Sequence, residues 1–296
     1  MRCLFLLSIL FSGDLAAISI VYNFRIAQIT REPIVENRHE NELRYRLIAL
    51  FFDQYQKKYT GNIDQNFGGG LCSFIYDFWD NYYFRTDAAV SHIQQTTCNL
   101  TTFASTKTDD ILFTVGRDFR PHDRTKLTLS GLFGIPTHPI FTLQHVDFGY
   151  GQIGTGVQAD GSYEFDRHAT LLCGTRYVHF VPRSAEDSSS NRYKFNVGNI
   201  GDILVGVRKR WGGHGLESGY SARWNFGARI VPSYDDIVAK TNAMRNSFYL
   251  VYKYHFQIAK VSNRLLFNIS YGFDSSPQRY GNKHIITGWA SWNIHF

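Results

Sequence analysis

Seven basic side chains in the second half of the chain sit where they could share one face of extended segments. They are Arg208 and Arg210, Arg223 and Arg229, Lys253 and His255, and Arg264. Residues an even number apart point the same way from a strand, so each pair projects to one side. A polar and acidic set with the same regularity precedes them: Gln152, Gln158, Asp160 and Glu164, with Asp118 earlier still. Facing a confined aqueous space, the basic set would create a field that favours anionic solutes. Facing each other, the two sets would neutralise one another as salt bridges and plug the same space. The residue types allow both outcomes.

Neither outcome is catalysis. No histidine precedes a serine by two, the arrangement in which an imidazole activates a hydroxyl in outer-membrane hydrolases. His168-Ala169-Thr170 falls at a turn, Pro121-His122-Asp123 is another turn, and His179 and His255 are isolated. The chain has no C-x-x-C and no zinc-ligand spacing, so no catalytic residue, metal site or cofactor is assigned. Gly68-Gly69-Gly70 lacks the lysine and the helix of a phosphate loop and reads as a flexible connection.

The elements that carry these groups show a period of two. Counting back from the end, Phe296, Ile294, Trp292, Ala290, Gly288 and Ile286 alternate with His295, Asn293, Ser291, Trp289, Thr287 and Ile285. The same contrast marks 264–273, 248–257 and 220–230, each with an aromatic-rich face. Further segments lie at 201–211, 168–181, 149–165, 126–135, 110–119, 82–92 and 71–79. Residues 43–55 also fit a strand, but Leu43, Leu47, Leu50 and Phe51 have helical spacing, so a short helix or plug element stays open. Segments of about ten residues with one broad aromatic face suit tilted membrane strands. The connections alternate as well. Those at 80–81, 121–124, 166–167, 212–216 and 259–263 are short. Those at 94–107, 136–147, 182–197, 232–245 and 275–282 are long. A soluble sandwich has no reason to sort its connections this way. A barrel with short periplasmic turns and longer outer loops does.

Composition agrees. Aromatics make up 16% of the 296 residues, with 25 Gly and only 7 Pro, which favours long strands joined by tight turns. Mean hydropathy of -0.25 argues against membrane helices. The apolar run 4–11 behind Arg2 reads as a secretory signal ending near Ala17, leaving Cys72, Cys98 and Cys173 as an odd set. The net charge of +6 is spread singly along strands, which excludes a nucleic-acid surface. We therefore expect a signal peptide over 1–17, a periplasmic or plug segment over 18–42, and a barrel over 43–296. The fold class is all-β, a transmembrane antiparallel up-and-down barrel of about twelve strands, with about ten or about fourteen as the neighbouring even solutions.

Two stretches carry a resemblance. Gly134-Ile135-Pro136-Thr137 leads into the glycine-rich 149–161, and Gly198-Asn199-Ile200-Gly201-Asp202 opens a strand that runs to Arg208. They resemble the outer-membrane channels of the long-chain fatty-acid transporter family and their relatives from aromatic-degradation pathways. The resemblance implies passage of small, amphipathic molecules and an N-terminal hatch, and it transfers no binding residue. Trp292, Ile294 and Phe296 resemble the terminal signal read by the barrel assembly machinery. The expected setting is the outer membrane of a Gram-negative-type envelope, with both termini periplasmic and membrane lipids as partners. The expected role is a porin-like channel or passive transporter for small hydrophobic or anionic solutes. A non-conducting barrel acting as an adhesin or anchor is the alternative; the solute and the oligomeric state stay open. Replacing Phe296 by Ser should lower the yield of heat-modifiable folded barrel in membranes while leaving synthesis unchanged, as read by semi-native electrophoresis.

Overall fold

The computed structural model describes residues 44–58, 63–78, 81–97, 100–108, 110–137, 153–186, 192–196, 199–226, 229–231, 244–258, 261–274 and 282–296. The expected signal peptide (1–17) and the whole N-terminal segment (18–42) lie outside these residues. The strands are β1 (Arg44–Lys58), β2 (Ile63–Phe78), β3 (Tyr82–Thr97), β4 (Leu100–Thr108), β5 (Ile111–His122), β6 (Thr125–Ile135), β7 (Gly154–Asp166) and β8 (Ala169–Phe180). They continue with β9 (Arg183–Glu186), β10 (Arg192–Asn196), β11 (Asn199–Trp211), β12 (His214–Phe226), β13 (Arg229–Val231), β14 (Met244–Ile258), β15 (Val261–Asp274) and β16 (Asn282–His295). No helix occurs among the described residues.

Each strand of the main sheet pairs antiparallel with its neighbours, and the sheet closes where β1 meets β16. β4 and β5 both pair with β3, one beyond the other, and together act as one strand of the wall. The result is a closed barrel of twelve antiparallel strands. The turns between β2 and β3, β5 and β6, β7 and β8, β11 and β12, and β14 and β15 all lie at the end where β1 begins and β16 stops. Two of these turns need left-handed backbone, which Asn81 (φ 73) and Gly212 (φ 56) supply. The longer connections gather at the opposite end, where β9, β10 and β13 form a separate three-stranded sheet.

Alternation decides what each face meets. On β1, Arg46, Ile48, Leu50, Phe52 and Gln54 are buried inside, while Tyr45, Leu47 and Phe51 project outward. Phe51, Val157 and Ile269 are 70%, 63% and 59% exposed, as a surface built to meet lipid requires. At the end with short turns the outer face carries a run of stacked rings: Tyr45 on Tyr76, Tyr76 on Phe78, and Phe78 on Tyr82. Such a run marks the level where hydrocarbon gives way to water.

Several segments differ from the sequence reading. Within the segment left open between strand and helix, the described residues from Arg44 on are strand: the register of β1 against both β2 and β16 decides against the helical spacing, and Leu43 lies outside the described residues. Gly68-Gly69-Gly70 lies inside β2, where a Cβ on Gly69 would stand 2.7 Å from the Phe52 ring. The expected loop 94–107 is mostly hairpin, because β3 and β4 carry their pairing well beyond the barrel's main wall. The connection 182–197 contains β9 and β10. Cys72 and Cys173 are free thiols on the outer face; Cys98 lies outside the described residues.

Inside, bulky rings lie flat over glycines on the neighbouring strands. Tyr83 of β3 crosses Gly116 of β5 and meets Ser130 of β6, with oxygens 2.6 Å apart. Tyr249 of β14 reaches across Gly219 and Gly206, where a Cβ would approach its hydroxyl to 2.6 and 2.3 Å. Gly206→Val should therefore destabilise the barrel by about 1–3 kcal/mol through overpacking. Adding Tyr249→Ala should recover part of that loss, as read by urea unfolding in lipid vesicles.

Candidate functional site

The inner wall of β8, β11, β12 and β14 is held by two charge clusters. Asp202 of β11 accepts from Arg176 of β8 through Nε at 2.9 Å and Nη2 at 2.5 Å, both at Oδ2. Its other oxygen accepts from Arg223 Nε of β12 at 2.8 Å. Nearer the short turns, Glu217 Oε2 of β12 takes Arg208 Nη2 of β11 and Lys253 Nζ of β14, each at 2.9 Å. All six side chains are buried. The Gly212-Gly213 turn sets this up. It pairs Trp211 with His214, and the same register faces Arg208 to Glu217 and Asp202 to Arg223.

Other pairs extend the network. Arg85 and Asp87 of β3 are joined at 2.7 Å, and Ser73 of β2 also bonds the Asp87 carboxylate. Arg46 of β1 pairs with Asp77 of β2, and Arg245 of β14 with Asp274 of β15 at 3.0 Å. Burying a charge is tolerated when opposite charges and hydrogen bonds replace its water. Arg85 and Arg264 are both 0% exposed, so neighbouring side chains enclose them inside the barrel.

The wall of β5, β6 and β7 differs. Its inward residues include Thr114, Gly116, Thr128, Ser130 and Ser162, which are small. Its charges reach solvent: Asp118 pairs with half-exposed Lys126 at 3.2 Å, Asp160 is half-exposed beside Gln158, and Glu164 is exposed near the short turns.

The sequence-derived candidates thus divide. Arg208, Arg223, Lys253 and Arg264 face inward and are buried, and Arg208, Arg223 and Lys253 take part in the charge clusters. Arg210 and His255 lie toward the short turns and are half-buried. Gln158 and Asp160 meet at 2.6 Å. Gln152 lies outside the described residues. Arg229 is not on the barrel strand that carries Arg223, which stops at Phe226; it belongs to β13, which pairs with β10. Sequence reasoning missed Arg176, Asp202, Glu217, Arg85 and Asp87, the partners that make the inner face a network. The turn at Gly212-Gly213 was the available signal for Asp202 and Glu217. Of the histidines, His179 faces outward and contacts Asn199 at 2.8 Å, and His168 is exposed in a turn.

At the C-terminal end, Trp292 projects outward and donates through Nε1 to Asn263 at 3.0 Å, Ile294 shares its face, and Phe296 donates its backbone N–H to Tyr45. Removing the shared acceptor should expose the cost of this network. Asp202→Asn should lower unfolding free energy by about 3–5 kcal/mol, since two buried guanidinium groups lose their anion. Asp118→Asn, at a half-exposed pair, should cost no more than about 1 kcal/mol in the same urea titration.

No protein-family model matches the chain, and no curated protein matches it by sequence. Solved structures do match. An outer-membrane channel from Pseudomonas putida F1 aligns with TM-score 0.65 at 13% identity, covering 85% of this chain and 95% of that one. The translocator domain of the autotransporter NalP from Neisseria meningitidis aligns with TM-score 0.55 at 12% identity, covering 97% and 99%. A Pseudomonas aeruginosa homologue of FadL aligns with TM-score 0.41 at 9% identity, covering 86% and 90%. The likeness to the first two is one of fold, and that fold is the outer-membrane β-barrel.

Proposed function

We propose that this chain is an outer-membrane channel for small solutes, with its passage along the inner wall of β5, β6 and β7. The observation that carries the reading is the asymmetry of that inner surface. On β1 to β3, β8, β11, β12, β14 and β15, long inward side chains are held in buried or part-buried ion pairs. Along β5 to β7 several inward side chains are short (Thr114, Gly116, Thr128, Ser130 and Ser162), and Asp118, Lys126, Asp160 and Ser162 are part-exposed. The solvent-reached charges include both signs, so we propose weak ion selectivity rather than a bare basic field. The short-turn end, where β1 starts and β16 stops, would face the periplasm, following the connection lengths of such barrels. The solute would be small and polar enough to pass carboxylates and hydroxyls.

One observation favours a second reading. The separate sheet of β9, β10 and β13 draws together segments from two of the long connections, which suits a sealed barrel that displays a surface for contact. Planar-bilayer conductance of the refolded protein separates the two. A channel should give small, reproducible steps, and Asp160→Arg should move the zero-current potential under a salt gradient toward anion preference. A correctly folded barrel that stays silent across voltages would overturn the channel and leave the display reading.

A further inference from the structure

We propose that Arg117, with the rings of Tyr82 and Phe119, forms a binding site for the phosphodiester headgroup of a membrane phospholipid in the leaflet at the short-turn end. The inference rests on the barrel spanning a membrane, and it is independent of whether the lumen conducts.

Arg117 is exposed on the outer face of β5, in the same alternation that presents Val115 to lipid. Its guanidinium carbon lies 4.9 Å from the Tyr82 ring centroid and 5.1 Å from that of Phe119. Among the described residues no carboxylate pairs with it. This differs from Arg46, Arg85, Arg176, Arg208, Arg223 and Arg245, which face inward and are paired.

Its level in the wall is defined. Arg117 pairs in register with Tyr82, the first residue of β3, and the backbone N–H of the next residue, Asp118, bonds Asn81 in the turn. Tyr82 continues the stacked run from Phe78 that marks the edge of the hydrocarbon. A guanidinium at that level would be costly deeper in lipid but meets little penalty at the interface. The rings hold the cation through its π face, leaving N–H donors around its edge. A planar fork of donors matches two oxygens of one phosphate. The anion abundant at that depth is the lipid phosphodiester. The field around it is favourable: β5 continues past the Asn81 turn with exposed Arg120, and the turn that follows adds exposed Arg124 next to Asp123.

The test is native mass spectrometry of the whole barrel in detergent, titrated with phosphatidylglycerol, comparing the wild type with Arg117→Gln and Arg117→Lys. Wild type should retain one lipid that Arg117→Gln binds about tenfold more weakly, as expected for loss of one charge-assisted contact. Arg117→Lys should fall between them. Should Arg117→Gln fail to fold, wild-type protein with labelled arginine in phosphatidylglycerol vesicles gives a second readout. Magnetisation transfer from lipid phosphorus to an outward-facing guanidinium should then be seen. Equal lipid retention by all three proteins, or no arginine-to-phosphorus transfer, overturns the site. Binding of inorganic phosphate at Arg117 without lipid retention would overturn the lipid assignment.

Discussion

A chain that crosses hydrocarbon must satisfy every backbone N–H and C=O within itself, and the architecture here follows from that demand. β1 and β16, the first and last strands of the wall, pair along nearly their whole lengths, from Arg46 opposite His295 to Lys58 opposite Asn282. With that seam closed, neither the first nor the last strand of the wall is left as an edge. Closure in turn forces each strand to show one face to lipid and the other to the interior. The period of two is therefore a consequence of the seam as much as of local propensity.

The interior then poses an electrostatic problem that the register solves. Long basic side chains pointing inward need anions at the right height on neighbouring strands. The tight turn at Gly212 places Asp202 and Glu217 where Arg223 and Arg208 need them. A longer or shorter turn would move every cross-strand partner and carry Glu217 and Asp202 away from Arg208 and Arg223. The glycines beneath Tyr83 and Tyr249 serve the same interior by giving large rings room to lie flat rather than fill the bore.

Much of this was legible from residue order, and the gaps have physical reasons. Alternation revealed which face of β14, β15 and β16 meets lipid, and it sent Arg208, Lys253 and Arg264 inside. It named a face but not a partner. Arg176 and Asp202 went unrecognised because their meeting depends on the register of β8 against β11, two strands joined by a long connection. The first strand was ambiguous because Leu43, Leu47, Leu50 and Phe51 satisfy a helical period by coincidence; only pairing with β2 and β16 decides. Arg229 was placed on the strand of Arg223 because the alternation runs on past Phe226, where that strand stops; the stretch 94–107 was misplaced for the opposite reason. Polar, threonine-rich sequence resembles a loop until a neighbouring strand supplies its hydrogen bonds. No sequence signal distinguished Arg117 from its inward-facing counterparts except its odd position beside Val115.

The seam between β1 and β16 also bears on folding kinetics. The remaining wall contacts join strands close in sequence, so hairpins can form as their segments become available. The seam joins the two ends of the barrel domain, and its closure entropy is met only after the whole chain is present. Until then both terminal strands are bare edges, open to pairing with other chains. The nascent barrel is therefore most vulnerable to aggregation in the interval before its last strand arrives. The backbone bond from Phe296 to Tyr45 marks the end of that interval.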